Sequence, residues 1–273
     1  MKRNGLDMRY SLAFFILVWL SACSIFGAPT ELDETKNWNA DRIYNEASAK
    51  LRNRDYDKAL KYFRIIETRY PHGKYATQAQ LETAYVYFKK NDPGSCIAAA
   101  ERFIKLHPNH PNIDYAYYIR GLASFKERGL VEKATQQEVN DRDPATMNNS
   151  FQALKELVTR YPDSRYAKDA MLRMTYLVNA LAGHEMHVAR YYMKRGAYLA
   201  AVNRCKYVLE NYPESTSNEE ALVVMISAYD NMGMQDLKED SMRVLKSNYP
   251  QSQFLQKDYK QEKRDWWRFW DSL

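Results

Sequence analysis

The sequence predicts an all-α protein, a solenoid of five stacked helical hairpins with about ten helices. A phrase of the type "YPDSRYAKDA" recurs five times, and its prolines stand 37, 54, 51 and 37 residues apart. The segments between the phrases are dominated by Ala, Leu, Lys, Glu and Tyr and have few β-branched runs bounded by turns, which favours helix over strand. A repeat of this period indicates stacked units, because a single hairpin cannot bury its own apolar stripe.

The first 22 residues are interpreted as a lipoprotein signal peptide. Lys2, Arg3 and Arg9 accompany the uncharged run "YSLAFFILVWL", which is about half the length of the roughly 20 residues that a transmembrane helix needs. The run closes on "LSAC", which resembles the bacterial lipobox, so Cys23 is expected to be the acylated N-terminus. Several acyl chains hold a protein firmly on a membrane. Ser24 stands where an inner-membrane retention signal has aspartate, which points to the outer membrane.

Charge and cysteine content exclude some classes of function. Without the leader the net charge falls from +6 to about +4, and acidic and basic residues are mixed, so nucleic-acid binding is not expected. Cys96 and Cys205 lie far apart in apolar helical contexts and are interpreted as buried thiols rather than as a disulfide.

The first unit has the pattern of a helical hairpin. Tyr44, Ala47 and Leu51 share one face of a first helix, and Ala59 and Phe63 share one face of a second. Small residues at the helix crossing, a bulky apolar residue and a closing proline resemble the tetratricopeptide repeat. The predicted organisation is a linker at 23–38, units at 39–71, 75–108, 112–162, 165–213 and 217–250, and a Trp-rich tail at 251–273.

The later units repeat this pattern with two insertions. Asp92 and Pro93 are expected to begin the second helix of the second unit, and Gly121 takes the small position of the third. A polar insertion at 126–146 separates the two helices of the third unit. In the fourth unit the helical pattern runs from Tyr166 to about residue 194, and a bend near its glycine is possible.

No catalytic residue, metal site or cofactor is predicted. His184 and His187 stand three residues apart, whereas zinc proteases place two histidines four apart with a third ligand elsewhere. The sequence also has no Gly-rich phosphate loop and no G-x-S-x-G motif. These patterns favour a binding protein over an enzyme.

The first helices of units one to three predict a peptide groove. When the helices are aligned on Ala47, Ala84 and Gly121, two apolar rows and one basic row keep the 37-residue spacing. Stacking would place these rows side by side, where they could hold an extended peptide and its terminal carboxylate. The alternative is that the aromatic residues pack between hairpins and the bases are only solvated. The rows are Tyr44, Leu81 and Tyr118; Leu51, Phe88 and Phe125; and Arg52, Lys89 and Lys126.

The tail gathers Trp266, Trp267, Phe269 and Trp270 after a charged stretch. Side chains of this kind are seldom left in water. They are expected to cap the last apolar face of the solenoid, to dock a partner or to rest at the membrane interface.

The lipobox, the hairpins and the segments "RDYDKAL", "YYIRGL" and "HVARYYMKRGAYLAAVNR" together resemble the BamD (ComL) family of outer-membrane assembly lipoproteins. The resemblance extends from the lipobox to about Pro250, and the Trp-rich tail departs from it. It implies a protein on the periplasmic face of the outer membrane. Such a protein binds BamA through the POTRA domains of BamA, and it also binds BamC, other Bam lipoproteins and unfolded β-barrel substrates. Arg204, and with it Arg195, matches the family's BamA-binding region. The alternative function is that of a structural lipoprotein associated with peptidoglycan or the Tol-Pal system.

Overall fold

The computed structural model describes residues 34–125 and 143–255. In these residues ten α-helices and one short 3-10 helix form the structure and no strand occurs, so the predicted all-α class is confirmed. Cys23, the insertion from Lys126 to residue 142 and the aromatic tail lie outside the described residues. The helices are α1 Ala40–Arg52, α2 Tyr56–Arg69, α3 Lys74–Lys89, α4 Pro93–Leu106, α5 Ile113–Ala123, α6 Pro144–Arg160, α7 Ala167–Lys194, α8 Tyr198–Asn211, α9 Asn218–Asn231 and α10 Gln235–Asn248, followed by the 3-10 helix Gln253–Leu255.

The helices pair into five hairpins that stack in chain order. Each helix packs against the next, and α1 also contacts α3, α3 contacts α5, and α7 contacts α9. We call α1, α3, α5, α7 and α9 the first helices and the other five the second helices. Because successive first helices contact one another more closely than successive second helices do, the first helices form the concave side of the solenoid. None of the helices in residues 34–125 and 143–255 combines the length and the apolar character needed to cross a membrane.

The recurring Tyr-Pro phrase ends one hairpin and begins the next, as the sequence predicts. The backbone N–H groups of Tyr70, Tyr161 and Tyr212 each donate to the carbonyl four residues earlier at 2.8 Å. The proline that follows cannot continue the helix because it lacks an N–H and its ring clashes with the preceding turn. Asp92 caps α4 as predicted, since its side chain accepts from the N–H of Ser95 at 3.1 Å.

The polar insertion is shorter than the sequence prediction. It was expected to reach residue 146, whereas α6 begins at Pro144. The Asp143 side chain accepts hydrogen bonds from the N–H groups of Ala145 and Thr146. An aspartate N-cap followed by proline at the first helical position is a standard helix start, so "DP" at 143–144 was the signal for this boundary.

The fourth hairpin contains one helix of twice the usual length. Helix α7 runs for 28 residues without interruption, so Gly183 does not end it. Its first half packs with α5 and α6 around Leu154 and Leu157, and its second half packs with α8 and α9 around Cys205. One helix therefore joins the two largest parts of the core.

The cysteines are packing residues, as predicted. Cys96 and Cys205 are both buried and free. Burial raises the pKa of Cys96 to about 12 and also raises the pKa of Cys205, so both thiols stay protonated at neutral pH.

Gly121 allows α5 and α6 to approach closely. A Cβ atom at this position would lie 2.5 Å from Leu154 Cδ2 and 2.8 Å from its Cγ. The Ser150 hydroxyl donates to the Gly121 carbonyl at 2.9 Å across the same contact. Leu154 is fully buried.

The Gly121→Ala substitution is expected to lower the free energy of unfolding by about 1–2 kcal/mol, because overpacking outweighs the better helix propensity of alanine. Gly94→Ala is the matched control, since its Cβ would meet only Asp92 Oδ1 at 3.9 Å. The control is expected to be neutral or to stabilise by up to ~1 kcal/mol. Urea denaturation of both variants tests this, and equal stability of the two would contradict the close contact.

Candidate peptide groove and partner-binding arginines

Tyrosines join successive first helices on the concave side. The Tyr44 ring of α1 lies 5.2 Å from the Tyr75 ring of α3, measured between centroids. The Tyr118 ring of α5 stacks on Tyr166 at 4.7 Å, and its hydroxyl donates to Asp169 Oδ2 of α7 at 2.6 Å. The concave side of the N-terminal half is therefore a continuous surface of aromatic rings and carboxylates.

Most of the predicted apolar rows lie half-buried between these helices. Tyr44 and Leu51 pack on the core of the first hairpin, and Phe88 packs over the cluster around Ile119. Phe125 contacts the edge of Tyr176 at 5.7 Å and lies under the Arg173 guanidinium at 4.6 Å. Half-buried rings of this kind can offer one edge to a ligand while they stabilise the stack.

Leu81 does not fit the predicted groove. It is only 3% exposed and packs in the core with Phe103 and Ala116, so its inclusion among the groove residues was wrong. Its side chain lies in the core formed by α3, α4 and α5. Tyr44 and Tyr118 stand at the equivalent positions of their helices and remain partly exposed.

The two described members of the predicted basic row are exposed. Arg52 ends α1 and Lys89 ends α3. Lys89 Nζ lies 5.4 Å from the centre of the Tyr85 ring. Both cations stand at the same end of the first helices, where a carboxylate can approach them from solvent. The third member, Lys126, falls outside the described residues.

The sequence analysis missed a polar stripe on α3. Gln78, Glu82, Tyr85 and Lys89 recur at four-, three- and four-residue steps and share one face of the helix. Gln78 Nε2 donates to Glu82 Oε1 at 3.1 Å. This period is the signal that would have identified the stripe. Of its members only Lys89 belonged to a predicted row, and the predicted Leu81 stands one position before Glu82.

Glu82 is a partly desolvated carboxylate within this stripe. Burial raises its pKa, and the hydrogen bond from Gln78 opposes the shift only in part. Burial and then the charge of Glu82 raise the pKa of Tyr44 on α1 and of Tyr115 on α5. The charge of Glu82 on α3 therefore acts on tyrosines of both neighbouring first helices.

The predicted partner-binding arginines lie in the C-terminal half. Arg204 Nη1 of α8 pairs with Glu185 Oε2 of α7 at 3.2 Å, and the arginine side chain is 45% exposed. The hydrogen bond with Glu185 raises the pKa of Arg204. Arg195 follows the last residue of α7, and its guanidinium lies 5.3 Å from the Tyr191 ring centre. Both arginines retain a solvent-facing charge.

Exposed apolar residues accompany these arginines. Tyr191 is 51% exposed, Leu199 61% and Tyr207 44%. Tyr207 lies three residues after Arg204 and therefore on the same side of α8. Aromatic and arginine side chains in combination are typical of protein–protein interfaces.

In the described residues no group of three or more His, Cys, Asp or Glu side chains could hold a metal ion.

The chain is similar to a family of bacterial lipoproteins. A family model described as "YfiO: Outer membrane lipoprotein" matches residues 36–245. A protein of Neisseria gonorrhoeae named Outer membrane protein assembly factor BamD is 44% identical over 253 residues, which cover 92% of this chain and 95% of the relative. The protein of the same name from Vibrio cholerae is 31% identical, over 84% of this chain and 95% of the relative. Among solved structures, MamA matches with a TM-score of 0.34 and 14% identity, over 76% of this chain and 90% of that chain.

Glu82→Gln is expected to stabilise the protein at pH 7 by up to about 1 kcal/mol, a Tm rise of roughly 2–4 °C. Burial raises the folded-state pKa of Glu82. The ionised form therefore lowers stability as pH rises through that pKa, and the penalty is absent below the unfolded-state pKa. The advantage of the variant should accordingly disappear near pH 4.

Thermal unfolding at both pH values measures this difference. Glu46→Gln is the control, because Glu46 forms a surface pair with Lys50 and its side chain is 39% exposed. Loss of such a pair changes stability by less than about 1 kcal/mol. A Glu82→Gln protein that is less stable than the parent at pH 7 would show that the carboxylate is stabilised by its surroundings.

Proposed function

The chain belongs to the YfiO family of outer membrane lipoproteins, and on this basis we propose that it is an assembly factor for outer membrane proteins. The observation that carries the proposal is the similarity to BamD, which extends over nearly the whole length of both chains. Helical hairpins alone would not carry it, because solenoids of this type serve many unrelated functions. The protein acts by binding other polypeptides rather than by catalysis.

Cys23 anchors the protein to the periplasmic face of the outer membrane. The support is the sequence "LSAC" after a short apolar run, followed by Ser24. Residues 23–38 link the acylated cysteine to the first hairpin. The lipid chains enter the membrane, and the helices stay outside it in the periplasm. The lipid chains supply the membrane attachment, and the solenoid supplies the binding surfaces.

The concave side of the N-terminal half holds the C-terminal segment of an unfolded β-barrel protein. An extended strand directs alternate side chains to opposite faces, so one set can enter the gaps beside Tyr44, Phe88 and Tyr118. Arg52 and Lys89 are exposed and can pair with the terminal carboxylate. Leu51 and Phe125 complete the apolar rows, and the buried Leu81 supports them from within the core.

The C-terminal half binds the POTRA domain of BamA through Arg204 and Arg195, and other repeats bind BamC and further Bam lipoproteins. A guanidinium suits this role because its fork of donors can pair bidentately with a carboxylate. Arg204 is already paired with Glu185, and 45% of its side chain is still exposed. The intramolecular bond therefore orients the side chain while it leaves donors for a partner.

Phe88→Ala and Lys89→Glu are expected to weaken binding of a fluorescent peptide with the C-terminal sequence of an outer membrane protein. Loss of an apolar anchor should raise Kd about tenfold, equivalent to ~1.4 kcal/mol. The charge reversal should raise Kd several-fold at low salt and less at high salt, because exposed charges are screened. Fluorescence anisotropy titration measures both effects.

Lys105→Glu is the matched control for the charge reversal. Lys105 is exposed on α4, a second helix on the opposite side of the hairpin, so this variant should bind like the parent protein. Circular dichroism checks that Phe88→Ala remains folded, because Phe88 also packs on its neighbours. If both test variants bind with the parent Kd, the concave side is not the peptide site.

Arg204→Glu is expected to abolish co-purification with BamA and to fail in complementation of a Neisseria strain depleted of its own BamD. The new carboxylate would repel acidic partner groups and would also face Glu185, whose side chain is only 16% exposed. Truncating one partner of an interfacial charge pair costs about 2–5 kcal/mol, which corresponds to at least a thirtyfold loss of affinity.

Arg204→Gln and Lys206→Glu separate binding from folding. Arg204→Gln removes the charge without repulsion at Glu185 and should also weaken co-purification. Lys206 is exposed two residues further along the same helix, so its reversal should leave co-purification intact. Normal barrel assembly with Arg204→Gln and Arg204→Glu would exclude this arginine from the BamA contact.

A further inference from the structure

The last hairpin leaves an apolar groove on its outward face. The groove has a volume of about 190 Å³ and lies between α9, α10 and the final 3-10 helix. The opposite face of α9 packs against α7 and α8 through Ala221, Val224 and Ala228. The groove is lined by Val223, Ile226, Ser227, Asp230, Met242, Leu245 and Phe254.

In the earlier hairpins, the first helix of the next unit covers the equivalent face. Ile119 of α5, for example, packs on Ala84 of α3 and on Cys96 and Ala100 of α4. At the last hairpin, the residues after α10 that pack against the corresponding cluster in the described part of the chain are Tyr249, Phe254 and Leu255. The groove therefore stands where a further first helix would pack.

The final described residues repeat the turn that begins the first helices of the fourth and fifth units. Before α7, Ser164 Oγ accepts from the N–H of Tyr166 at 3.1 Å, and the Ala167 N–H donates to the Ser164 carbonyl at 2.9 Å. Helix α7 begins at that alanine. The serine side chain and carbonyl thus set the first turn of the helix.

The same two hydrogen bonds occur at the next two Tyr-Pro phrases. Ser215 Oγ accepts from the N–H of Ser217 at 3.1 Å, and α9 begins one residue later. Ser252 Oγ accepts from the N–H of Phe254 at 3.3 Å, and the Leu255 N–H donates to the Ser252 carbonyl at 3.0 Å. By this equivalence, Leu255 stands at the position where a sixth first helix begins.

The remaining sequence has the pattern for such a helix. Counting from Leu255, Trp267 is 12 positions later and lies to one side, whereas the aromatic residues Tyr259, Trp266, Phe269 and Trp270 are 4, 11, 14 and 15 positions later. These positions fall on one face at 100° per residue, and charged residues occupy most of the others. A helix from 255 to 270 would be about 24 Å long at 1.5 Å per residue. Helices α9 and α10 have 14 residues each, so this length spans the groove.

We propose that residues 255–270 form an eleventh helix whose aromatic stripe fills the groove between α9 and α10. The groove is then the docking site of the chain's own tail, and the Trp-rich segment caps the solenoid rather than entering the membrane. The turn at Ser252 favours this occupant because it starts the chain next to the groove at Phe254. This proposal does not depend on the peptide groove or on the partner-binding arginines.

Tryptophan fluorescence reports on the tail directly. Of the five tryptophans, Trp19 belongs to the leader and Trp38 to the first hairpin, so three of the four in the mature chain lie in the tail. The experiment uses the chain from Ser24 to Leu273, which carries no acyl chain. Trp266 and Trp270 are expected to emit at short wavelength and to be protected from acrylamide without any vesicles, while Trp267 stays accessible to the quencher, and this pattern should not change with protein concentration.

Ile226→Glu places a carboxylate in the groove and is expected to shift the emission to longer wavelength and remove the protection. Leu237→Glu is the control, since Leu237 is 44% exposed on α10 and does not line the groove. The control should keep the parent spectrum. Circular dichroism distinguishes release of the tail from loss of the whole fold, and a variant ending at Leu255 should bind a hydrophobic dye that the full chain does not.

Three results would overturn the proposal. The tail would be a membrane segment if its tryptophans are quenched freely in buffer and become protected only with phosphatidylethanolamine–phosphatidylglycerol vesicles. It would contact a second copy if protection is lost on dilution. An Ile226→Glu spectrum identical to that of the parent would show that the tail lies elsewhere.

Discussion

The structure depends on the close approach of two helices at a small residue, which is seen in each of the first three hairpins. Ala47 and Ala84 are fully buried where their helices cross, and Gly121 leaves no room for even a methyl group beside Leu154. This spacing brings the apolar stripes of both helices together on one side, and the next hairpin covers them. Stability is consequently shared between neighbours, as in other repeat proteins, and each unit supports the surface of the next.

The binding surfaces consist of what the stacking leaves uncovered. On the concave side, the hydroxyls of Tyr75 and Tyr118 donate to Asp41 and Asp169 of neighbouring first helices, and both tyrosines stay partly exposed. On α7 and α8, the cation–carboxylate pair of Arg204 and Glu185 lies beside exposed rings. Both surfaces arise from contacts between helices rather than from loops, so each position is set by the packing beneath it.

The fold could be predicted almost completely from the sequence, whereas the exposed faces could not. The Tyr-Pro phrase and the 3.6-residue period are local signals, and they specify helix ends and buried stripes. Exposure is decided by one helix position, so Leu81 is buried in the core while its neighbour Glu82 is only partly buried. The Glu185 partner of Arg204 is 19 residues away on another helix, so only the packing of α7 on α8 shows it.

The two proposed surfaces differ in chemistry, and each suits a different kind of partner. The N-terminal side presents half-buried rings, a desolvated carboxylate and cations at one end, which suits an extended strand with backbone donors and a free carboxyl end. The C-terminal side presents guanidinium groups on a helix surface, which suits a folded domain with acidic side chains. Helix α7 packs in both halves of the core, so it connects the two surfaces physically. If both proposed surfaces bind as we propose, a substrate segment and a folded partner would occupy separate parts of one continuous stack, and neither would have to leave before the other binds.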